Sequence, residues 1–221
     1  MVDLVLRIGY PKISVQDVAE HTGIGKGTVY KHWNSKEDII DDVLLREFDR
    51  VHDRFLAHLM HDRRLAGLHG TGCVLYRLVM ANPVLRAYNT RDARMLGTHV
   101  AAQGAPDALG IALVSVLVRP SYLELLRDNG LILDAVCTEE GRLCVEAVVS
   151  GFVDHPGAVA GPEQARTSSR LMATVLRRVF EPPGPPEPAG RDRMVTALLT
   201  ARPLRSGTPM RLDDARTADG R

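Results

Sequence analysis

Gly23 separates two short segments whose apolar residues have helical spacing, and this pattern constrains the fold more than any other feature of the chain. Ser14 can cap the first segment, with Asp17 facing the backbone N–H of the cap. Gly23 can take the left-handed conformation that turns the chain sharply, and Ile24 then fills the corner. A second helix starts at about Lys26. Two helices joined by a short glycine-containing turn predict a helix-turn-helix, here over about 14–33.

A long helix is predicted directly after this unit. Ser35 can cap it, and Glu37 and Asp38 would lie at the positive end of its dipole. Apolar residues then recur every three or four positions from about Ser35 to Met60, which is typical of one amphipathic helix. A helix of this length can join two parts of the protein.

The rest of the chain predicts further helices and a different C-terminal segment. Helical patterns cover about 65–81, 83–96, 107–128, 138–153 and 162–179, and no segment alternates as a strand would. The Arg119-Pro120 step is expected to bend or split the third of these. After Phe180 a proline-rich run favours extended structure, so 181–221 is interpreted as a flexible tail in which Met194 to Leu199 could form a turn or two of helix.

Composition excludes several classes of protein. With 45% hydrophobic and 25% charged residues, the chain can form a buried core and a polar surface. Cys73, Cys137 and Cys144 match neither a disulfide framework nor a CxxC pair. No apolar run approaches the roughly 20 residues of a membrane span, and Met1 to Tyr10 lacks the features of a signal peptide. These observations favour a cytoplasmic protein without a membrane segment or a cofactor.

The segment ISVQDVAEHTGIGKGTVYKHWNSKEDII, residues 13–40, resembles the DNA-binding module of the TetR family. The resemblance implies an all-α fold, in which a three-helix helix-turn-helix module is joined to a helical bundle for ligand binding and dimerisation. The expected domains are 1–45 for DNA binding and 46–180 for sensing and dimerisation, followed by the tail 181–221. The first helix is expected to be truncated relative to the family, and a start codon assigned too late would explain this.

The resemblance also implies which residues contact double-stranded DNA. Gly25, Gly27 and Thr28 leave room for close approach to the major groove. Thr28 and Gln16 are the expected base contacts, through a methyl group on thymine and an amide on adenine. Phosphate contacts are expected from Ser14, Lys26, Tyr30, Lys31, His32 and Lys36. Alternatively, the lysines form an ordinary solvated face and Tyr30 packs on the helix behind it.

In this family the last two long helices form a dimer interface, which here implies 138–153 and 162–179. Either could instead be an internal core helix. A ligand pocket is expected among the middle helices, and its candidate residues combine apolar bulk with polar tips: Tyr76, Met80, Tyr88, Met95, His99 and Tyr122. Taken singly, such residues more often belong to a core.

The function implied is that of a homodimeric transcriptional repressor released from a palindromic operator by a small-molecule effector. A ligand-dependent activator is an alternative, and a helical enzyme or small-molecule-binding protein is a weaker one. No catalytic constellation is apparent. His58, His61 and His69 lack a matching cysteine or carboxylate for a metal site, and Cys137 and Cys144 are interpreted as core residues. The net charge of +1 argues against a sequence-independent DNA-packaging protein.

Overall fold

The computed structural model describes residues 1–23, 25–97, 109–155 and 161–200, which form α-helices joined by turns and 3₁₀ segments and contain no β-strand. The fold is therefore all-α, as the sequence predicts. Among the described residues, no helix is long and apolar enough to cross a membrane.

The N-terminal unit contains three short helices followed by a long one. They are α1 (Val2–Ile8), α2 (Val15–Thr22), α3 (Lys26–His32) and α4 (Lys36–His61). A 3₁₀ turn over Tyr10–Lys12 separates α1 from α2. The first helix has seven residues, and its Leu4 and Val5 are buried.

The long helix α4 crosses the predicted domain boundary at residue 45 without interruption. Its 26 residues make it about 39 Å long. Ser35 and Asp38 form a capping box at its start, which satisfies backbone N–H groups that the helix itself leaves unpaired. One face is buried from Ile39 to Leu59, so α4 is a core element of both parts of the molecule.

The body consists of seven further helices before residue 181, counted over the described residues. They are α5 (Leu68–Ala81), α6 (Pro83–Asn89), α7 (Ala93–Leu96), α8 (Leu113–Leu117), α9 (Pro120–Asp128), α10 (Glu139–Val153) and α11 (Pro162–Phe180). The predicted break at Arg119-Pro120 is confirmed. The segment 83–96 is two helices, because Asp92 accepts backbone hydrogen bonds from Arg94 and Met95 and starts a new one.

The packing of α5 against α11 forms the centre of the body. Gly72 allows this close approach, since a Cβ atom at this position would lie 2.9 Å from a methyl carbon of Leu176. Hydrogen bonds that involve the buried side chains of Glu47 and Asn89 fix the neighbouring elements. Asn82 caps α6 and donates a hydrogen bond of 2.7 Å to Glu47 on α4. Asn89 accepts a hydrogen bond of 2.7 Å from the backbone N–H of Leu113 at the start of α8.

The prediction of a flexible tail over 181–221 is wrong for part of that segment. Residues Pro188–Thr200 form a helix, α12, and residues 201–221 lie outside the described residues. Proline at the first position of α12 is compatible with a helix start. Met194, Val195 and Leu198 are buried, and Arg63 forms an ion pair of 2.8 Å with Asp192. Burial of one apolar face, rather than intrinsic propensity, accounts for this helix.

We expect Met194→Ala to lower the free energy of unfolding by about 2–5 kcal/mol, because Met194 is fully buried and the truncation leaves a cavity. Leu199→Ala on the same helix is the matched control, since Leu199 is 39% exposed. Urea unfolding of both variants measures the difference. Equal and small effects would mean that α12 contributes nothing to the folded core.

A buried histidine lies in the middle of α4. His52 is 5% exposed and its ring lies 6.3 Å from those of Phe48 and Phe55, centroid to centroid. Its Nε2 atom has no hydrogen-bond partner among the described residues. Burial lowers the pKa of His52, and the charge of Asp53 opposes this shift.

This environment predicts a pH-dependent stability. Unfolded His52 takes up a proton near pH 6.5 and the folded form does so at lower pH, so stability falls as the pH drops from that value towards the folded pKa. His52→Leu should reduce the difference in urea midpoint between about pH 7.5 and about pH 5.5. His61→Leu, at an exposed position of the same helix, should retain it. An unchanged pH dependence in His52→Leu would contradict this origin.

Candidate nucleic-acid interface

The turn between α2 and α3 has the geometry that the sequence predicts. Ser14 and Asp17 form a capping box at the start of α2. Gly23 ends the helix in the left-handed conformation, with φ 71° and ψ 19°. Ile24, expected to fill the corner, lies outside the described residues. The backbone therefore turns sharply at Gly23, at the end of α2.

The helix α3 has one buried side chain and an exposed outer surface. Val29 is fully buried and anchors the helix on the N-terminal unit. Tyr30 is 50% exposed, so it does not pack on the helix behind it. Trp33, by contrast, is half-buried against the core. The predicted contact residues of this segment are all exposed: Gly25, Lys26, Gly27, Thr28, Tyr30, Lys31 and His32.

The two glycines at the leading end of α3 are not required by packing within the chain. A Cβ atom at Gly27 would meet nothing within 4 Å, and one at Gly25 would meet only the hydroxyl of Thr28 at 4.0 Å. Both also have negative φ, a conformation that other residues adopt easily. Their small size therefore leaves open space on the outside of the helix, where a DNA groove could approach.

The electrostatics of this surface are favourable for phosphate binding. From His21 to Lys36 the chain contains three lysines and no carboxylate side chain. The first acidic residues on either side are Glu20 and Glu37, and beyond them Asp17 and Asp38 are engaged in helix caps. Hydrogen bonds from Ser14 and Ser35 respectively lower the pKa of these two carboxyls. Lys26 and Lys31 thus lie in a locally basic segment of a chain that is nearly neutral.

Two predicted contacts, Ser14 and Gln16, are already engaged in hydrogen bonds within the chain. The Ser14 hydroxyl lies 2.6 Å from Asp17 Oδ2, so a phosphate contact would have to disturb the cap. Gln16 donates a hydrogen bond of 2.9 Å to Glu20 on the exposed face of α2, which a base edge could replace at small cost. Their contacts with DNA stay predictions.

Lys36 has a structural role that the sequence analysis missed. Its ammonium donates a hydrogen bond of 3.2 Å to the carbonyl of Pro11 and lies 4.4 Å from the centroid of the Tyr10 ring. The start of α4 is thereby joined to the Tyr10–Lys12 turn. An ammonium has three donors, so a phosphate contact by Lys36 is compatible with this role.

The predicted ligand-pocket residues are distributed over the body. Met80 lines a cavity of about 330 Å³. Tyr76 and Tyr122 are buried in the core, where the hydroxyl of Tyr76 donates to the carbonyl of Phe152 at 3.2 Å. Tyr88 and Met95 are half-buried. The sixth candidate, His99, lies outside the described residues.

The three histidines considered for a metal site do not form one. His69 bonds to Glu181, with Nδ1 2.7 Å from Oε2, and His58 Nδ1 lies 2.7 Å from the carbonyl of Arg54. Within the described ranges, no group of three or more histidine, cysteine or acidic side chains is placed to hold a metal ion. Cys137 is half-buried and Cys144 is exposed, so the interpretation of Cys144 as a core residue is wrong.

Comparison with known families identifies the N-terminal unit. The sequence model described as bacterial regulatory proteins, tetR family, matches residues 2–43. The chain carries a TetR-family DNA-binding domain. No curated protein and no solved structure matches the chain. The matched range contains α1 to α3 and the start of α4, which are the elements that hold the exposed surface of α3. The chain is accordingly a DNA-binding transcriptional regulator.

Gly27→Ala tests whether this TetR-family domain needs the open space on α3 to bind DNA. Alanine favours the helix over glycine by about 0.5–1 kcal/mol, so we expect stability to be unchanged or slightly higher. Binding to operator DNA should weaken about tenfold or more, because the added methyl group occupies space at the groove. Fluorescence anisotropy with labelled DNA and thermal unfolding measure the two effects. Unchanged affinity would exclude Gly27 from the interface.

Proposed function

We propose that the chain is a homodimeric repressor, which a small-molecule ligand releases from a palindromic operator. The observation that carries this proposal is the outer surface of α3, which is exposed and basic. At the N-terminal end of α3, Gly25 and Gly27 leave space for a DNA groove. A second recognition helix about one DNA turn away is needed to read a palindrome, and two exposed apolar stripes offer a surface for a second copy.

These stripes lie on α10 and α11. On α10 they comprise Leu143, Ala147 and Gly151, spaced by four residues, and Leu143 is 63% exposed. On α11 Leu171 and Val179 are 56% and 54% exposed, with Val175 between them. The opposite faces of both helices are buried in the chain itself, as Val145, Val149 and Leu176 illustrate. Each helix can therefore serve the core and a four-helix dimer interface at once.

The DNA-binding unit is attached to the body by two routes. One is the continuous helix α4. The other is the turn at Gly9, which packs so closely on α7 that a Cβ atom on Gly9 would lie 3.0 Å from the carbonyl of Arg94. A ligand that favours one arrangement of α4 and α7 over another would change the spacing of the two recognition helices. The same geometry would serve an activator if the ligand favoured the DNA-binding arrangement.

A substitution at the apolar stripe tests the dimer. Leu171→Asp should yield a monomer in sedimentation velocity and weaken operator binding by about a hundredfold or more, because the second half-site no longer benefits from a linked partner. Leu133→Asp, at a position 39% exposed outside the stripes, should remain dimeric. A monomeric unsubstituted chain with full operator affinity would contradict the proposal.

The choice between a regulator and a packaging protein depends on specificity. Affinity for the DNA upstream of the chain's own gene is compared with affinity for random DNA at fixed salt concentration. A specific regulator should prefer its operator by a factor of about 10³ or more. Equal affinity would favour sequence-independent binding.

A further inference from the structure

A cleft of about 330 Å³ lies between α4, α5 and α11. Arg54 is 18 residues beyond the start of α4 at Lys36, so this part of the cleft lies about 27 Å along the helix from the DNA-binding unit. One face of α5 lines the cleft with Val74, Arg77, Leu78 and Ala81, which are three or four residues apart. We call this space the arginine cleft, because Arg54, Arg77, Arg86 and Arg166 line it together with His58.

The charge of the arginine cleft is of one sign. Four arginines and a histidine line it, and no lining residue is acidic. Glu163 lies in the same turn of α11 as Arg166 but is not part of the lining. Four guanidinium groups around one concave space repel one another, and the repulsion is relieved when an anion binds between them.

Unlike several other arginines of the chain, the cleft arginines have no carboxylate partner among the described residues. In the part of the chain that the structure describes, Arg46 pairs with Asp42 at 2.7 Å and Arg63 pairs with Asp192 at 2.8 Å. Among the residues that the structure describes, no carboxylate forms an ion pair with any of the four cleft arginines. Arg86 donates a hydrogen bond of 3.2 Å to the backbone carbonyl of Met80 instead. Their planar groups are therefore available for bidentate contact with a carboxylate or phosphate.

The floor of the cleft is apolar. Val74, Leu78 and Met80 are each less than 10% exposed, and Ala81, Pro162 and Ala165 extend this surface. The cleft volume lies at the lower end of the range of about 300–1,000 Å³ for small-molecule sites. Arginines around an apolar floor match a ligand that has an anionic head and an apolar body. Inorganic phosphate alone would leave the floor uncovered.

We propose that the arginine cleft binds an organic anion, which is a carboxylate or phosphate carried on an apolar chain, and that this anion is the effector of the regulator. The effector role rests on the proposed function. Arg54 and His58 belong to α4, whose other end starts beside the recognition helix. An anion held jointly by Arg54, Arg77 and Arg166 ties α4 to α5 and α11. Binding is then coupled to the position of the DNA-binding unit.

Isothermal titration of the full chain without DNA tests the site directly. The probes are decanoate and decyl phosphate, compared with decan-1-ol and inorganic phosphate. At least one amphiphilic anion should bind saturably, one per chain, and the neutral alcohol and the bare ion should bind about tenfold more weakly or worse. The tighter of the two anions identifies the head group. Equal binding of decanol, or of inorganic phosphate, would overturn the proposed ligand class, as would failure of both anions to bind.

Substitution locates the binding. Arg54→Gln combined with Arg166→Gln should weaken the tighter probe by about tenfold or more. Arg170→Gln, one turn further along α11 and outside the lining, should leave its affinity unchanged. Thermal unfolding establishes that both proteins are folded. Unchanged affinity in the double variant would place the probe elsewhere and overturn the assignment.

A third measurement separates this proposal from the proposed function. Operator affinity is measured with and without the bound probe, and the expected result is a change that the double variant loses. If the probe binds in the cleft but leaves operator affinity unchanged, the effector role is overturned while the binding site stands. If random duplex DNA displaces the probe as strongly from Gly27→Ala, whose α3 surface binds DNA weakly, as from the unsubstituted chain, the cleft is itself a polyanion site and the small-ligand assignment is overturned.

Discussion

The burial of one continuous face of α4 is the constraint on which the rest of the structure depends. Ile40 and Leu44 lie at the end next to the N-terminal unit, Phe55 and Leu59 lie in the body, and all four are buried. Each such side chain contributes about 1.5–3 kcal/mol of hydrophobic free energy. Because both units use the same rigid helix, neither can reorient freely without disturbing the core of the other.

The helix α3 is largely exposed because only one of its side chains, Val29, is buried against the rest of the N-terminal unit. A seven-residue helix is far below the roughly 12–15 residues that an isolated helix needs in water, so α3 depends on Val29, on the turn at Gly23 and on the capped helices beside it. Anchoring through a single buried side chain leaves the remaining faces for another molecule. The stability of the N-terminal unit therefore comes mainly from α1, α2 and the start of α4. The exposed residues of α3 contribute little to the free energy of folding.

The features that sequence predicted correctly are those that local chemistry determines. The caps at Ser14 and Ser35, the left-handed turn at Gly23 and the break before Pro120 each depend on residues within one turn of helix. The docking of α12 was missed because it depends on contacts between Met194 and residues distant in sequence. The arginine cleft was missed for a similar reason, since its arginines come from four helices and share no spacing along the chain. Of the pocket candidates chosen by residue type, Met80 lines this cleft, whereas Tyr76 and Tyr122 are buried in the core. Their role in ligand binding stays a prediction.

The net charge of +1 conceals how the charges are arranged. Many carboxylates are engaged locally, as caps for helices in the case of Asp17 and Asp38 or as partners of nearby arginines in the case of Asp42. The outer surface of α3 and the lining of the arginine cleft are two regions whose own residues include positive groups and no acidic one. Coulombic attraction depends on separation and local dielectric, and salt screens it over about 10 Å. The two regions, at opposite ends of α4, therefore attract anions independently of the total charge, so a nearly neutral chain can bind DNA at one end and a small anion at the other.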